Sequence, residues 1–214
     1  MRFEELVRGT ERERAALISV PIIQDCLAGR VTRSQYLAFL GEAYHHVSHT
    51  VPLLVSCASC VEGHPSQWLR PALVEYIEEE DGHEEWILDD IAASGGDPDA
   101  VRDGAPGPAT ELMVAYVYDY IIRKHPAGFL GMVHVLEGTS AALATQAADS
   151  MRSALRLPAN AFTYLTSHGS LDQQHVRFFQ DLVERLDEEE GRHVIHVARM
   201  VYRLYADIFR ELPS

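Results

Sequence analysis

Apolar and polar positions follow a helical pattern along almost the whole chain. Apolar residues recur at three- and four-residue spacing, and no convincing stretch alternates between apolar and polar residues. Proline, glycine and capping residues predict where helices begin and end. Besides a short helix over about 21–29, the predicted helices are about 3–18, 33–60 with a kink at Pro52, 65–94, 108–123, 126–155, 159–186 and 188–209. We therefore predict an all-α bundle of about seven helices in a single domain, residues 1–214.

Charge and composition exclude several classes of protein. The net charge is −14, from 18 Lys and Arg against 32 Asp and Glu, so the chain repels phosphate backbones and we expect no nucleic-acid partner. No run approaches about 18 apolar residues and the N-terminal segment is charged, so we expect neither a membrane span nor a signal peptide. Three cysteines do not make a disulfide framework, which favours the reducing cytoplasm. The Cys57-x-x-Cys60 pair, in an apolar helical run, is interpreted as free thiols.

The sharpest cluster of chemical groups is His168, Asp172 and His175. At helical spacing these positions fall within an arc of about 60° on one face, so their side chains can converge on one point. Two imidazoles and a carboxylate on an open helix face suit non-haem Fe(II) better than a closed zinc site. Solvent-facing capping or hydrogen bonding is the alternative role for the same residues.

Two further carboxylates have surroundings that suggest ligands. A Glu-x-x-His pair, Glu80 and His83, places both groups on one side of a helix, although an exposed acidic face explains the same run. A second copy, Glu190 and His193, is interpreted as the start of the last helix. Glu137 lies among small and apolar residues with no Lys or Arg within a helical turn, so it needs a metal, a proton or an interhelical hydrogen bond to Tyr or His.

A fourth carboxylate, Glu42, shares a helix face with His45 and His49, with His46 at the margin. We predict Glu42 as a ligand and the three histidines as partners that orient it. Four carboxylates would then balance the charge of two Fe(II) ions, and a neutral site is easier to bury than the carboxylates or the ions alone. The predicted ligands are Glu42, Glu80, His83, Glu137, His168, Asp172 and His175. Three tyrosines are candidates for pocket or radical-relay residues: Tyr44, Tyr76 and Tyr164.

With these residues the chain resembles the haem-oxygenase-like helical superfamily, which includes TenA, PqqC and the haem-oxygenase-like di-iron oxidases. The motif His168-x3-Asp172-x2-His175 is similar to a signature of the di-iron branch, and Glu80-x-x-His83, Glu137 and Glu42 occur in the same order. The resemblance implies a haem-oxygenase-like (TenA-like) bundle and two Fe(II) ions, one of which manganese can replace. It also implies O2 as co-substrate and hydroxylation or oxidative C–C cleavage of a small amino-acid- or fatty-acid-like molecule.

Departures from the other branches narrow the function. Thiaminase-type TenA proteins have a nucleophilic Cys where this chain has Glu137, and a catalytic Glu where it has Ala206 and Asp207. Haem oxygenases need an N-terminal proximal His, and the first 25 residues contain none. The second hypothesis is a TenA-like, metal-independent aminopyrimidine or thiamin-salvage hydrolase using Glu42, and the third is a non-catalytic interaction protein. A homodimer is compatible with such a bundle, but no pairing face is indicated.

Overall fold

The structure, a computed structural model, describes residues 2–213 and, over residues 168–175, leaves the side chains out. All the regular structure within these residues is helical, which confirms the predicted fold class. Eleven α-helices follow one another along the chain: α1 Arg2–Ile18, α2 Pro21–Leu27, α3 Arg33–Val47, α4 Thr50–Cys60, α5 Arg70–Glu80, α6 His83–Ala93, α7 Pro98–Arg102, α8 Pro108–Arg123, α9 Phe129–Leu155, α10 Thr163–Glu184 and α11 Glu188–Glu211. Short 3₁₀ helices cover Pro65–Leu69, Pro126–Gly128 and Ala159–Ala161.

Helix starts that depend on local signals lie where the sequence predicts them. Thr32 caps α3 in a capping box with Gln35, and Asp187 caps α11 in a capping box with Glu190. The carboxylate of Glu190 also accepts hydrogen bonds from the Ser66 hydroxyl (2.5 Å) and the Trp68 indole N–H (3.0 Å). Glu190 therefore begins a helix, as predicted, and its buried charge is satisfied by hydrogen-bond donors.

The prediction of one kinked helix over residues 33–60 is wrong. Helix α3 ends at Val47, and α4 begins at Thr50. Pro52 stands in the first turn of α4, where its missing N–H costs no helical hydrogen bond. In a continuous helix the proline ring would also clash with the carbonyl of Ser48, four residues earlier. The helix therefore ends there and a new one begins, instead of one helix bending.

The prediction of a continuous helix over residues 65–94 is also wrong, and this break matters for the site. Gly82 has φ +84°, a left-handed conformation that glycine adopts without strain. Helix α5 therefore ends at Glu80 and α6 begins at His83. Glu80 and His83 therefore flank a tight turn and do not share one helix. The breaks before Pro52 and at Gly82 raise the number of helices among the described residues above the seven predicted.

Helix α9 lies at the centre of the bundle and packs against α10 and α11. One apolar cluster joins it to α1, α4, α5, α8 and α11, and a second joins its C-terminal half to α3 and α6. The stretch Pro126–Leu155 is the one described segment long and apolar enough to cross a membrane, but 56% of its 18-residue apolar window is buried within the bundle. We interpret this stretch as a core helix of the bundle.

Burial of His134 predicts acid sensitivity. Burial in α9 lowers the pKa of His134 to about 4, with a smaller contribution from the charge of Arg14. Between pH 4 and 6.5 the unfolded chain then binds a proton that the folded chain does not, so the free energy of unfolding falls as the pH falls through this window. Between pH 7.5 and 5, we expect the free energy of unfolding of wild type to fall by about 2 kcal/mol more than that of His134→Gln, as measured by urea titrations. His196→Gln, at an exposed position, is the control and should retain the wild-type slope; equal slopes in all three proteins would contradict the prediction.

Candidate metal centre

A cavity of about 160 Å³ opens between the helices beside α9. Residues of α2, α3, α4, α5, α9, α10 and α11 line it, and most of them are aliphatic or aromatic. Its acidic lining residues are Glu80 and Glu137, and no Lys or Arg is found among the lining residues that the structure describes. The cavity therefore combines an apolar wall with two carboxylates.

Glu80 and His83 form one unit at the turn between α5 and α6. The Nδ1 of His83 donates a hydrogen bond to Oε2 of Glu80 over 3.1 Å, and the two side chains are 7% and 11% exposed. The imidazole ring also stacks on Trp86, with 4.1 Å between ring centroids. A proton on Nδ1 puts the lone pair on Nε2, which is how a carboxylate orients a histidine toward a metal.

Glu137 reaches the same cavity from α9, and it is half-buried. Tyr76 of α5 and Tyr164 of α10, both predicted as pocket residues, also line this space. The structure thus places Glu80 and Glu137, from two helices, on the wall of one cavity, and holds His83 of α6 beside Glu80. These three supply two carboxylates and one imidazole, donors that suit non-haem iron.

The predicted ligands His168, Asp172 and His175 occupy α10, but their side chains lie outside the described residues. The first turn of α10 contributes Tyr164 and Leu165 to the cavity wall, and α10 packs along α9. As ligands the three residues stay a prediction. Among the side chains that are described, no group of three His, Cys, Asp or Glu is arranged to hold a metal.

The carboxylate of Glu42 is engaged at the start of α8. Both of its oxygens accept the backbone N–H of Gly107, each over 3.1 Å, and one also accepts the Thr110 hydroxyl. A carboxylate at this position caps the helix and offsets the positive end of its dipole. Glu42 does not occur among the described residues that line the cavity, and its role as a ligand stays a prediction.

The residues around Glu42 divide between the cavity and the surface. His46 is buried and lines the cavity, and its Nδ1 donates to the backbone carbonyl of Glu42 over 2.9 Å. Burial lowers the pKa of His46 to about 3, so the ring is neutral at pH 7. Exposed His49 lies 3.3 Å from the Tyr118 hydroxyl, and half-buried Tyr44 and His45 contact each other edge to face. Of the predicted orienting histidines, His46 is the one that the structure places in the described cavity wall.

Sequence reasoning missed one buried acid close to this region, Asp90 of α6. Its side chain is fully buried, and its carboxylate accepts the backbone N–H groups of Thr163 and Tyr164. The signal was present, because Asp90 shares an apolar helix face with Ile87 and Ile91. An acid on such a face needs hydrogen-bond donors.

Comparison with solved structures shows the fold. A domain of unknown function with a haem-oxygenase-like fold from Shewanella denitrificans matches with a TM-score of 0.85 at 23% identity, over 96% of this chain and 88% of the other. A TenA homologue from Pseudomonas syringae matches with a TM-score of 0.79 at 11% identity, over 99% and 92%. Haem oxygenase-2 from Synechocystis, in complex with haem and NO, matches with a TM-score of 0.76 at 16% identity, over 98% and 84%. The predicted haem-oxygenase-like and TenA-like fold is confirmed.

Comparison with protein families extends this result from fold to family. Among curated protein sequences, none matches the chain significantly. Residues 37–206, however, match the family described as iron-containing redox enzymes. The matched region covers most of the chain and runs from α3 into α11, so it includes Glu80, His83, Glu137 and the α10 motif. The chain therefore belongs to the iron-containing redox enzyme family.

Proposed function

We propose that this protein is an O2-activating non-haem di-iron oxidase or oxygenase. The observation that carries the proposal is an apolar cavity whose two acidic lining residues are Glu80 and Glu137, with His83 hydrogen-bonded to Glu80. Membership of the iron-containing redox enzyme family supports it. Three free cysteines and the acidic charge are compatible with the proposed cytoplasmic location.

The donors present fit iron. Glu80, His83 and Glu137 would hold the metal from α5, α6 and α9, and His168, Asp172 and His175 would hold it from α10. Bound Fe(II) ions supply the reaction with O2, and manganese can replace one of them. The hydrogen bond from His83 to Glu80 fixes the orientation of the His83 ring and leaves the lone pair of Nε2 available to a metal. The apolar wall keeps bulk water from the reacting groups.

The cavity favours a fatty-acid-like substrate over a zwitterionic amino acid. Its wall is mostly aliphatic and aromatic, and an apolar cavity of about this size accepts a group the size of a benzene ring. Two buried hydroxyls, those of Thr139 and Ser140, line the cavity and have no hydrogen-bond partner among the described residues. We expect them to bind the polar end of a substrate, because an unsatisfied buried hydroxyl is costly.

The alternative function, a metal-independent hydrolase that uses Glu42, receives less support. The Glu42 carboxylate accepts hydrogen bonds from Gly107 and Thr110 at the start of α8. A general acid or base must reach the reacting atoms, and this carboxylate is directed to a helix terminus. Turnover of an aminopyrimidine by the metal-stripped protein would favour the hydrolase.

Anaerobic titration with Fe(II) tests the proposal. We expect wild type to bind about two irons per chain and to give an oxygen-dependent optical transient when substrate is present. Glu80→Gln should lose most of this binding, because an amide is a weaker ligand than a carboxylate and holds His83 less firmly. Glu78→Gln removes the same charge at an exposed position of the same helix and should bind like wild type. Equal iron binding by both variants, or none by wild type, would contradict the proposal.

A further inference from the structure

Asp90 joins two helices that carry predicted iron ligands. It lies in α6, seven residues after His83, and its side chain is fully buried. Its Oδ1 accepts the backbone N–H of Thr163 over 2.8 Å, and its Oδ2 accepts that of Tyr164 over 2.9 Å. Thr163 and Tyr164 are the first two residues of α10, the helix that contains positions 168, 172 and 175. One carboxylate therefore fixes the start of α10 on α6.

This cap comes from a distant part of the chain. The first N–H groups of a helix have no partner within it, and the preceding residue usually supplies a side-chain acceptor. In α10 the preceding residue is Phe162, which makes no capping hydrogen bond. A residue 73 positions away takes that role, and the negative charge of Asp90 also suits the positive end of the helix dipole.

A second contact secures the same junction from α3. The hydroxyl of Tyr36 donates to the backbone carbonyl of Ala161 over 2.7 Å, just before α10 begins. The pKa of Asp90 is raised to about 6: burial raises it most, the hydrogen bonds from Tyr164 and Thr163 lower it, and the charge of Asp89 adds a small upward contribution. A buried acid in an apolar cluster is costly unless hydrogen-bond donors satisfy it, and at this position the first two N–H groups of α10 are those donors.

The geometry of the two helices limits how far α10 can shift at an intact metal centre. At 1.5 Å per residue, His83 stands about 10 Å along α6 from Asp90, and position 168 about 8 Å along α10 from Thr163. Metal–ligand distances are held to about 0.2 Å. A rigid shift of α10 by about 1 Å would carry the backbone of its later positions by the same distance, which exceeds that tolerance and should weaken metal binding.

We propose that Asp90 is a positioning residue for the iron centre, which fixes on α6 the first turn of α10, the helix that contains the predicted ligands at positions 168, 172 and 175. This inference rests on the proposed function. Asp90 does not contact the metal in this scheme. It acts through the backbone N–H groups of Thr163 and Tyr164, and so determines iron affinity through the geometry of the ligands on α10.

Three variants test the role of Asp90. Asp90→Ala removes both acceptors, and Asp90→Asn keeps one of them. Asp89→Asn removes the same charge from the adjacent, exposed residue and serves as the matched control. We expect anaerobic Fe(II) titrations to show an affinity about tenfold weaker in Asp90→Ala, a smaller loss in Asp90→Asn and wild-type affinity in Asp89→Asn. Titrations are run well below the midpoint of thermal unfolding of each protein, so that a loss of stability alone does not change the affinity.

The outcomes separate this inference from the proposed function. If wild type binds no iron, the proposed function fails and this inference fails with it. If wild type binds iron and both Asp90 variants bind it equally well, the proposed function stands and the positioning role is overturned. A loss in Asp89→Asn as large as that in Asp90→Asn would assign the effect to charge and also overturn it. If Asp90→Ala does not fold, the comparison of Asp90→Asn with Asp89→Asn decides.

Discussion

Replacement of His83 by alanine is expected to remove most of the Fe(II) binding of the protein while leaving it folded. His83 is buried, and its Nδ1 is held by Glu80, which lines the cavity, so the lone pair on its Nε2 is available to a metal. Loss of a direct ligand should weaken Fe(II) binding by at least about a hundredfold, the upper end of the effect of removing a group that only orients a ligand. Anaerobic titration measures the affinity, and circular dichroism checks the fold.

The matched control is His49→Ala. His49 is exposed at the start of α4; its ring lies beside the Tyr118 hydroxyl, and it is not among the described residues that line the cavity. Its variant should bind iron like wild type, whereas His175→Ala should lose iron binding and the oxygen-dependent transient as His83→Ala does. Undiminished binding in His83→Ala would remove this residue from the proposed centre.

The second large effect is expected at Gly131, where α9 crosses α11. A Cβ at this position would lie 2.5 Å from the carbonyl oxygen of Val194 and 2.7 Å from the backbone nitrogen of Ala198. Both atoms belong to the backbone of α11, so neither can give way as a flexible side chain would. We expect Gly131→Ala to lower the free energy of unfolding by about 3 kcal/mol, because overpacking at this crossing forces the two helices apart. Urea unfolding followed by circular dichroism measures the change.

Gly41→Ala provides the comparison for this substitution. Gly41 lies in the interior of α3, and no described atom lies within 4 Å of an added Cβ. Alanine favours helix over glycine, so this variant should be up to about 1 kcal/mol more stable than wild type. If both variants changed stability by the same amount, the close crossing at Gly131 would not be the cause. Because Glu137 follows six residues later on α9, the crossing also fixes the backbone that carries a proposed ligand.

The fold could be predicted from the sequence wherever its signals are local. Thr32 with Gln35 and Asp187 with Glu190 mark helix starts through side-chain to backbone hydrogen bonds within one turn. The breaks were harder to predict, because Pro52 is compatible with either a kink or a new first turn. At Gly82, periodic apolar residues continue on both sides, and the sequence does not show that the backbone adopts a positive φ there.

The candidate site was predictable as a set of residue types, and less so as an arrangement. Glu80 and His83 do meet, yet across a turn and not along one helix face. The partner of Glu42, the amide of Gly107, lies 65 residues away in sequence, so no local pattern indicates that this carboxylate caps α8. The contact of Asp90 with the start of α10 is equally remote. Contacts of this range depend on how the helices pack, which periodicity does not specify.

Crystals soaked anaerobically with Fe(II) and measured at the iron absorption edge test the central claim most directly. We expect two anomalous peaks, about 3.5–4 Å apart, in the cavity lined by Glu80 and Glu137, with His83 beside Glu80 and α10 forming part of the wall. Peaks at any other place on the protein, or a refined structure in which Glu137 and His83 point into solvent, would contradict a di-iron centre built from these residues.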